Sequence, residues 1–210
     1  MSVLQKVLDQ KIVAVIRLSD YRSAVELAQA LVAGGVNVLE FTLTGTGTLD
    51  AIRATRQALG DEACVGVGTV LRSEDVDRAI DVGAQFVVTP ILRRQVIAAC
   101  ARQRTLIICG GFSPTEILDA FEAGAELVKV FPARVGGPKF ISDLLAPMPF
   151  LKLVPTGGVS QENAHEYLEA GAVAVGIGGN LVSQKLVEAG AFDQITASAQ
   201  SYLRAVRPQS

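Results

Sequence analysis

The sequence predicts an α/β fold built on a parallel sheet, and three observations carry that prediction. Short apolar runs recur every 20–26 residues, helix-like segments fill the gaps between them, and no linker or charge block divides the 210-residue chain. The runs are IVAVIR (12–17), VLEFTL (38–43), CVGVGTV (64–70), FVVTP (86–90), LIICG (106–110), LVKVFP (127–132), LKLVPT (151–156) and AVAVGIG (172–178). Each is rich in β-branched residues, as strands buried on both faces are. Alternating βα units with short connections imply parallel pairing and right-handed crossovers. Eight units favour a closed (β/α)8 TIM barrel, with an open doubly wound sheet as the alternative that periodicity alone leaves standing.

The segments between the runs read as helices with identifiable ends. The first ten residues predict a short extra helix at the bottom of the barrel. Residues 19–33 carry Val25, Leu27, Ala28, Leu31 and Val32 as an apolar stripe at helical spacing. Ser113-Pro114-Thr115-Glu116 is a capping box with proline at the first helical position. Ser73 and Ser160 stand where two further N-caps are expected. Gly34-Gly35, Gly83, Gly124 and Gly171 each precede a strand, where glycine supplies the left-handed residue that stops a helix. One domain, 1–210, is the expectation.

Composition excludes several functions. Half the residues are hydrophobic, 19% are charged and the net charge is −2. That opposes disorder and leaves no basic footprint for nucleic acid or an anionic membrane. The longest uncharged stretch, 170–184, is glycine-rich and too short to span a bilayer. The start, MSVLQKVLDQK, lacks the apolar core of a secretory signal. The single histidine, His165, rules out a clustered-histidine metal site and falls on a predicted helix surface. Cys64, Cys100 and Cys109 lack CxxC spacing and read as reduced thiols of a cytoplasmic protein. Cys64 and Cys100 are expected in the core, and Cys109 at an exposed strand end.

A barrel places its active site at the C-terminal ends of the strands, and polar residues collect there. Lys129 is the only polar side chain in Leu-Val-Lys-Val-Phe-Pro. On an open sheet edge such a lysine would snorkel to water, but a closed barrel has no edge. Burial favours the neutral amine, which can attack a ketone and form a Schiff base. Glu40 interrupts Val-Leu-Glu-Phe-Thr-Leu in the same way and offers a general acid/base, with a purely structural ion pair as the alternative. Arg17 ends the first run and could fork a carboxylate or phosphate. Thr69 ends the third run and Pro90 the fourth. Thr156-Gly157-Gly158 and Gly176-Ile177-Gly178-Gly179 end the seventh and eighth, where barrels bind phosphate through backbone N–H groups.

The stretches Val13-Ala14-Val15-Ile16-Arg17, Leu39-Glu40, Gly66-Val67-Gly68-Thr69-Val70, Thr89-Pro90, Val128-Lys129-Val130-Phe131-Pro132 and Pro155-Thr156-Gly157-Gly158-Val159 resemble the KDPG/KHG aldolases of class I. The resemblance spans nearly the whole chain. It implies a compact (β/α)8 barrel, a homotrimer and no metal or other cofactor. It implies Lys129 as the Schiff-base lysine, Glu40 as general acid/base acting through water, and Arg17 and Thr69 near the pyruvyl carboxylate. Pro90 and Phe131 would wall the pyruvyl group, and Gly157, Gly158, Gly178 and Gly179 would cradle the phosphate of a small 2-keto acid. Three positions depart from the family pattern: Thr44 replaces a frequent arginine, Cys109-Gly110 a proline-glycine, and Gly179 a frequent serine.

The implied reaction is retro-aldol cleavage of 2-keto-3-deoxy-6-phosphogluconate, of 4-hydroxy-2-oxoglutarate, or of both. The same lysine could instead decarboxylate a β-keto acid such as oxaloacetate. A non-catalytic phosphate-binding barrel is a third reading. A phosphosugar isomerase or epimerase is a fourth, which lacks the expected acid/base or metal groups.

Overall fold

The computed structural model describes residues 1–206, so the last four residues of the expected 1–210 domain lie outside the described residues. Helix α1 (Val3–Gln10) leads into β1 (Ile12–Ile16), α2 (Ala24–Ala33), β2 (Val38–Thr42), α3 (Thr48–Leu59), β3 (Cys64–Gly68), α4 (Ser73–Asp81) and β4 (Phe86–Val88). Then follow α5 (Arg94–Arg102), β5 (Leu106–Gly111), α6 (Pro114–Glu122), β6 (Leu127–Val130), α7 (Gly137–Leu145), β7 (Leu153–Pro155), α8 (Ala164–Glu169) and β8 (Val175–Ile177). Two helices, α9 (Gln184–Glu188) and α10 (Phe192–Val206), finish the described chain.

All eight apolar runs form strands, most of them trimmed at one or both ends. They pair in parallel in the order β7-β6-β5-β4-β3-β2-β1-β8. The seam between β7 and β8 is narrow. Val173 N–H donates to the Leu153 carbonyl at 3.0 Å, and Thr156 bridges Gly176. The barrel is thus nearly closed, and the open-sheet alternative falls. Outside the strands, the helix ring closes where α10 packs on α2. Thr196 donates to the Ala30 carbonyl at 2.9 Å. Gly34 permits this contact, because a Cβ there would strike Ala199 and the Thr196 carbonyl.

The apolar residues sort into two cores by strand alternation. Ile12, Ala14, Ile16, Leu39, Phe41, Val65 and Val67 face outward and pack beneath the helices. Val13, Val38, Cys64, Phe86, Leu106, Leu127, Val154 and Ala174 face inward and fill the lower barrel. Helix α1 caps that inner core with fully buried Val7, and its N-terminus is held by the Ser2 hydroxyl, which accepts from Gln5 N–H at 3.2 Å.

The capping expectations divide. Ser113 and Glu116 form both bonds of the capping box, and Gly83 (φ 102°) and Gly124 (φ 104°) take the left-handed conformation after their helices. Ser73 instead is the first residue of α4 and bonds Glu74, so it caps nothing. Ser160 lies in the turn before α8, where its N–H donates to the Asn163 side chain at 2.8 Å. Helix α2 starts at Ala24 rather than 19, because Tyr21 is drawn onto the strand ends by hydrogen bonds described below. Cys109 corrects the expectation of an exposed strand end. It is fully buried on the outward face of β5, where it accepts a hydrogen bond from the Thr89 hydroxyl at 3.4 Å. His165 is exposed on α8, as expected.

Gly66 leaves the space that the fully buried Phe86 ring occupies. Phe86→Ala should therefore open a cavity in the inner core and cost about 3–5 kcal/mol, read as a lower urea midpoint with an unchanged slope.

Candidate functional site

Lys129 and Glu40 enter the upper barrel from strands on opposite sides. Lys129 sits on β6, registered between Gly110 of β5 and Val154 of β7. Glu40 sits on β2, registered between Val15 of β1 and Gly66 of β3. Both are buried, and Lys129 Nζ lies 3.8 Å from Glu40 Oε1. That is longer than a direct hydrogen bond. Glu40 Oε1 has no hydrogen-bond partner among the described residues. Burial pushes the Glu40 carboxyl above its ordinary range, against opposing pulls from the charges of Lys129 and Arg17. A buried carboxyl with free acceptor capacity beside an amine can take and return protons there.

The walls follow from strand alternation. Gly68, inward on β3, makes room for the Glu40 carboxylate, which a Cβ at 68 would overlap. Phe131 holds its ring 5.3 Å from Lys129 Nζ, and the ring edge lies beside Gly157, where a Cβ would crowd it. Pro90 is half-buried, and its backbone presses against Gly110 of β5. Thr69 ends β3 at φ 60°, a left-handed conformation that is strained for a β-branched residue. Arg17 is exposed at the end of β1 and has no ion-pair partner among the described residues, while its charge reaches Glu40. Gly68 and Phe131 thus lie against the pair and the Arg17 charge reaches it, while Thr69 and Pro90 stand just past the ends of β3 and β4.

The glycine-rich ends of β7 and β8 form the far side of the mouth. Thr156 is buried, and its side chain fills the space left by Gly176. Gly157 and Gly158 turn with φ 89° and 94°. Gly178 is half-buried, and Gly179 is exposed with open space where a side chain would stand. Asn180 ties the two loops together, its amide donating to the Val159 carbonyl at 2.9 Å. Among the described residues, the N–H groups of Gly157, Gly158, Gly179 and Asn180 find no acceptor.

Sequence reasoning missed two supports. The Tyr21 hydroxyl lies 2.9 Å from both the Ile16 and Thr42 carbonyls, donating toward them, and 3.1 Å from the Thr42 hydroxyl. It thus pins together the strand ends that carry Arg17 and Glu40. Thr42 in turn holds the exposed Thr44 hydroxyl at 2.8 Å. Gly68 was the other, and its signal was its place two residues beyond Gly66 on the inward face.

Known proteins resemble this chain over most of its length. A family model described as "KDPG and KHG aldolase" matches residues 3–198. The chain belongs to the KDPG and KHG aldolase family. It is 38% identical over 197 residues to the 2-dehydro-3-deoxy-phosphogluconate aldolase of Treponema pallidum, covering 93% of each chain. It is 37% identical over 191 residues to the KHG/KDPG aldolase of Escherichia coli K12, covering 90% of this chain and 89% of that one. The KDPG aldolase of Legionella pneumophila, solved with pyruvate captured as a covalent carbinolamine, superposes with a TM-score of 0.83 at 28% identity, covering 90% of this chain and 93% of that one. Membership brings aldolase chemistry and a TIM barrel. Among the described residues, no helix is long and apolar enough to cross a membrane.

The raised Glu40 carboxyl has a thermodynamic consequence. Its folded form binds a proton more tightly than its unfolded form, whose ordinary value is 4.5. Stability from this group is fully present below that value and is lost as pH rises through the folded value. Relative to Glu40→Gln, the wild type should lose Tm progressively from pH 4.5 toward neutrality, as followed by thermal melts across that range.

Proposed function

We propose that this chain is a class I aldolase that cleaves 2-keto-3-deoxy-6-phosphogluconate to pyruvate and glyceraldehyde 3-phosphate, and 4-hydroxy-2-oxoglutarate to pyruvate and glyoxylate. The observation that carries the reading is the buried Lys129–Glu40 pair, 3.8 Å apart, with an unpartnered carboxylate oxygen facing into the site. The carbinolamine in the Legionella pneumophila relative supports it.

The free Lys129 amine attacks the C2 ketone, and its nitrogen gives up a proton as the ketone oxygen gains one. The Glu40 carboxyl, through water, protonates the carbinolamine hydroxyl, which leaves as water to form the iminium. Glu40 is then a carboxylate and removes the C4 hydroxyl proton. The electrons of the C3–C4 bond flow into the iminium, the aldehyde departs and an enamine of pyruvate remains. Glu40 returns its proton to C3, and hydrolysis frees pyruvate and Lys129. One carboxyl serves both directions, and the burial that raises it keeps its acid form available. Arg17 and Thr69 anchor the substrate carboxylate, Pro90 and Phe131 exclude water from the reacting carbons, and Thr156 with Gly157, Gly158, Gly178 and Gly179 receives the phosphate.

Borohydride added with pyruvate should leave one reduced pyruvyl adduct, mapped to Lys129 by peptide mass. An unmodified Lys129 in an enzyme that still releases pyruvate from both substrates would overturn the mechanism. Oxaloacetate turnover in chelator that outpaces both aldol substrates would overturn the substrate assignment.

The resemblance also implies a homotrimer. Exposed Phe121 and Phe150, which pair with each other, and exposed Phe112, which leans on half-buried Phe140, supply apolar surface that such an assembly could bury. Light scattering should return three times the chain mass, and a monomer mass at micromolar concentration would oppose the assembly.

A further inference from the structure

The two glycine-rich loops bring no cation to the anion they would hold. Between Lys152 and Lys185 the chain has neither lysine nor arginine, and it has Glu162, Glu166 and Glu169. Backbone N–H dipoles alone would then face a phosphate carrying nearly two negative charges.

A cation stands on the neighbouring segment. Just past β6, Ala133 N–H donates to the Thr156 carbonyl and Arg134 N–H to the Gly157 carbonyl, each at 2.8 Å. Residues 133 and 134 are thereby fastened alongside the loop after β7. The Arg134 side chain leaves the backbone beside Gly158, where any Cβ would overlap the Arg134 Cβ. Arg134 is exposed and has no carboxylate within ion-pair distance among the described residues. The next basic residue, Lys139, is engaged by Asp143 at 2.9 Å. Arg17, an unpaired guanidinium at the end of β1, acts on Glu40.

We propose that Arg134 is a specificity-determining residue whose guanidinium completes the distal anion site and selects keto acids with a terminal phosphate. This rests on the reading of the β7 and β8 glycines as a phosphate cradle. A guanidinium can bond two phosphate oxygens at once, and its stem lies on a glycine that leaves it room. The two arginines then sort the substrate's ends, Arg17 taking the carboxylate beside Lys129 and Arg134 the phosphate.

The test compares kcat/KM for 2-keto-3-deoxy-6-phosphogluconate and for unphosphorylated 2-keto-3-deoxygluconate in wild type, Arg134→Ala, Arg134→Lys and Arg17→Ala. Wild type should prefer the phosphorylated substrate. Arg134→Ala should lose about tenfold of that preference, chiefly in KM, as removal of one charge-assisted contact predicts. Arg134→Lys should recover part of it, and Arg17→Ala should weaken both substrates alike. An Arg134→Ala enzyme that keeps its preference overturns the role of Arg134 and leaves the cradle standing. A wild type with no preference overturns the cradle, and Arg134 with it.

Discussion

The structure depends on one constraint, the placing of an amine and a carboxylate inside a barrel with no water-facing edge. Desolvating two such groups is expensive, and a buried pair often does no better for stability than apolar residues of similar size. Here the pairing is also incomplete, since 3.8 Å separates Nζ from Oε1 and that oxygen has no other partner. A pair selected for stability would close that gap. One that must admit a reacting carbon and a water between its members must leave it.

The barrel accommodates this demand through its inward glycines. Gly66 yields to Phe86, Gly68 to Glu40, Gly110 to the Pro90 backbone and Gly176 to Thr156. Each is an inward position at which one strand gives up its side chain so that a neighbouring strand's group can occupy the interior. Phe86 spends that space on packing, lower in the barrel. Glu40 and Thr156 spend it on polar groups near the mouth. Replacing any of these glycines would force a shift of its neighbour, so their spacing is tied to the identities of Phe86, Glu40, Pro90 and Thr156.

Much of this was legible in the sequence because parallel strands buried on both faces leave an unmistakable apolar record. Against that record a lone lysine and a lone glutamate stand out, and period-two alternation sends both inward. What alternation cannot supply is registration across the barrel. Nothing along the chain says that residues 40 and 129, on β2 and β6, should meet. Helix starts were less legible, since they depend on competing hydrogen bonds. Tyr21 binds the ends of β1 and β2 and delays α2, and Ser160, expected to accept a backbone N–H as an N-cap, instead donates its own N–H to the Asn163 side chain. Cys109 was misplaced because a strand end in sequence need not be exposed when Thr89 of the adjacent strand end covers it.

Stability and chemistry therefore come from different heights of the same strands. At the bottom, Val13, Val38, Cys64, Phe86, Leu106, Leu127, Val154 and Ala174 fill the interior, and Val7 of α1 seals it. Two residues further along, β2 presents Glu40, β3 Gly66 and β6 Lys129, and two beyond those, β1 presents Arg17 after Val15. On β2, β3, β6, β7 and β8, one inward step up from Val38, Cys64, Leu127, Val154 and Ala174 exchanges packing for Glu40, Gly66, Lys129, Thr156 and Gly176, polarity or empty space. A helix plug is needed at the lower end because the filled layer would otherwise end in water. A plug at the upper end would close the only approach by which a substrate could reach the buried oxygen of Glu40 that has no partner among the described residues. The asymmetry of the barrel's two ends is thus a consequence of the pair at its centre.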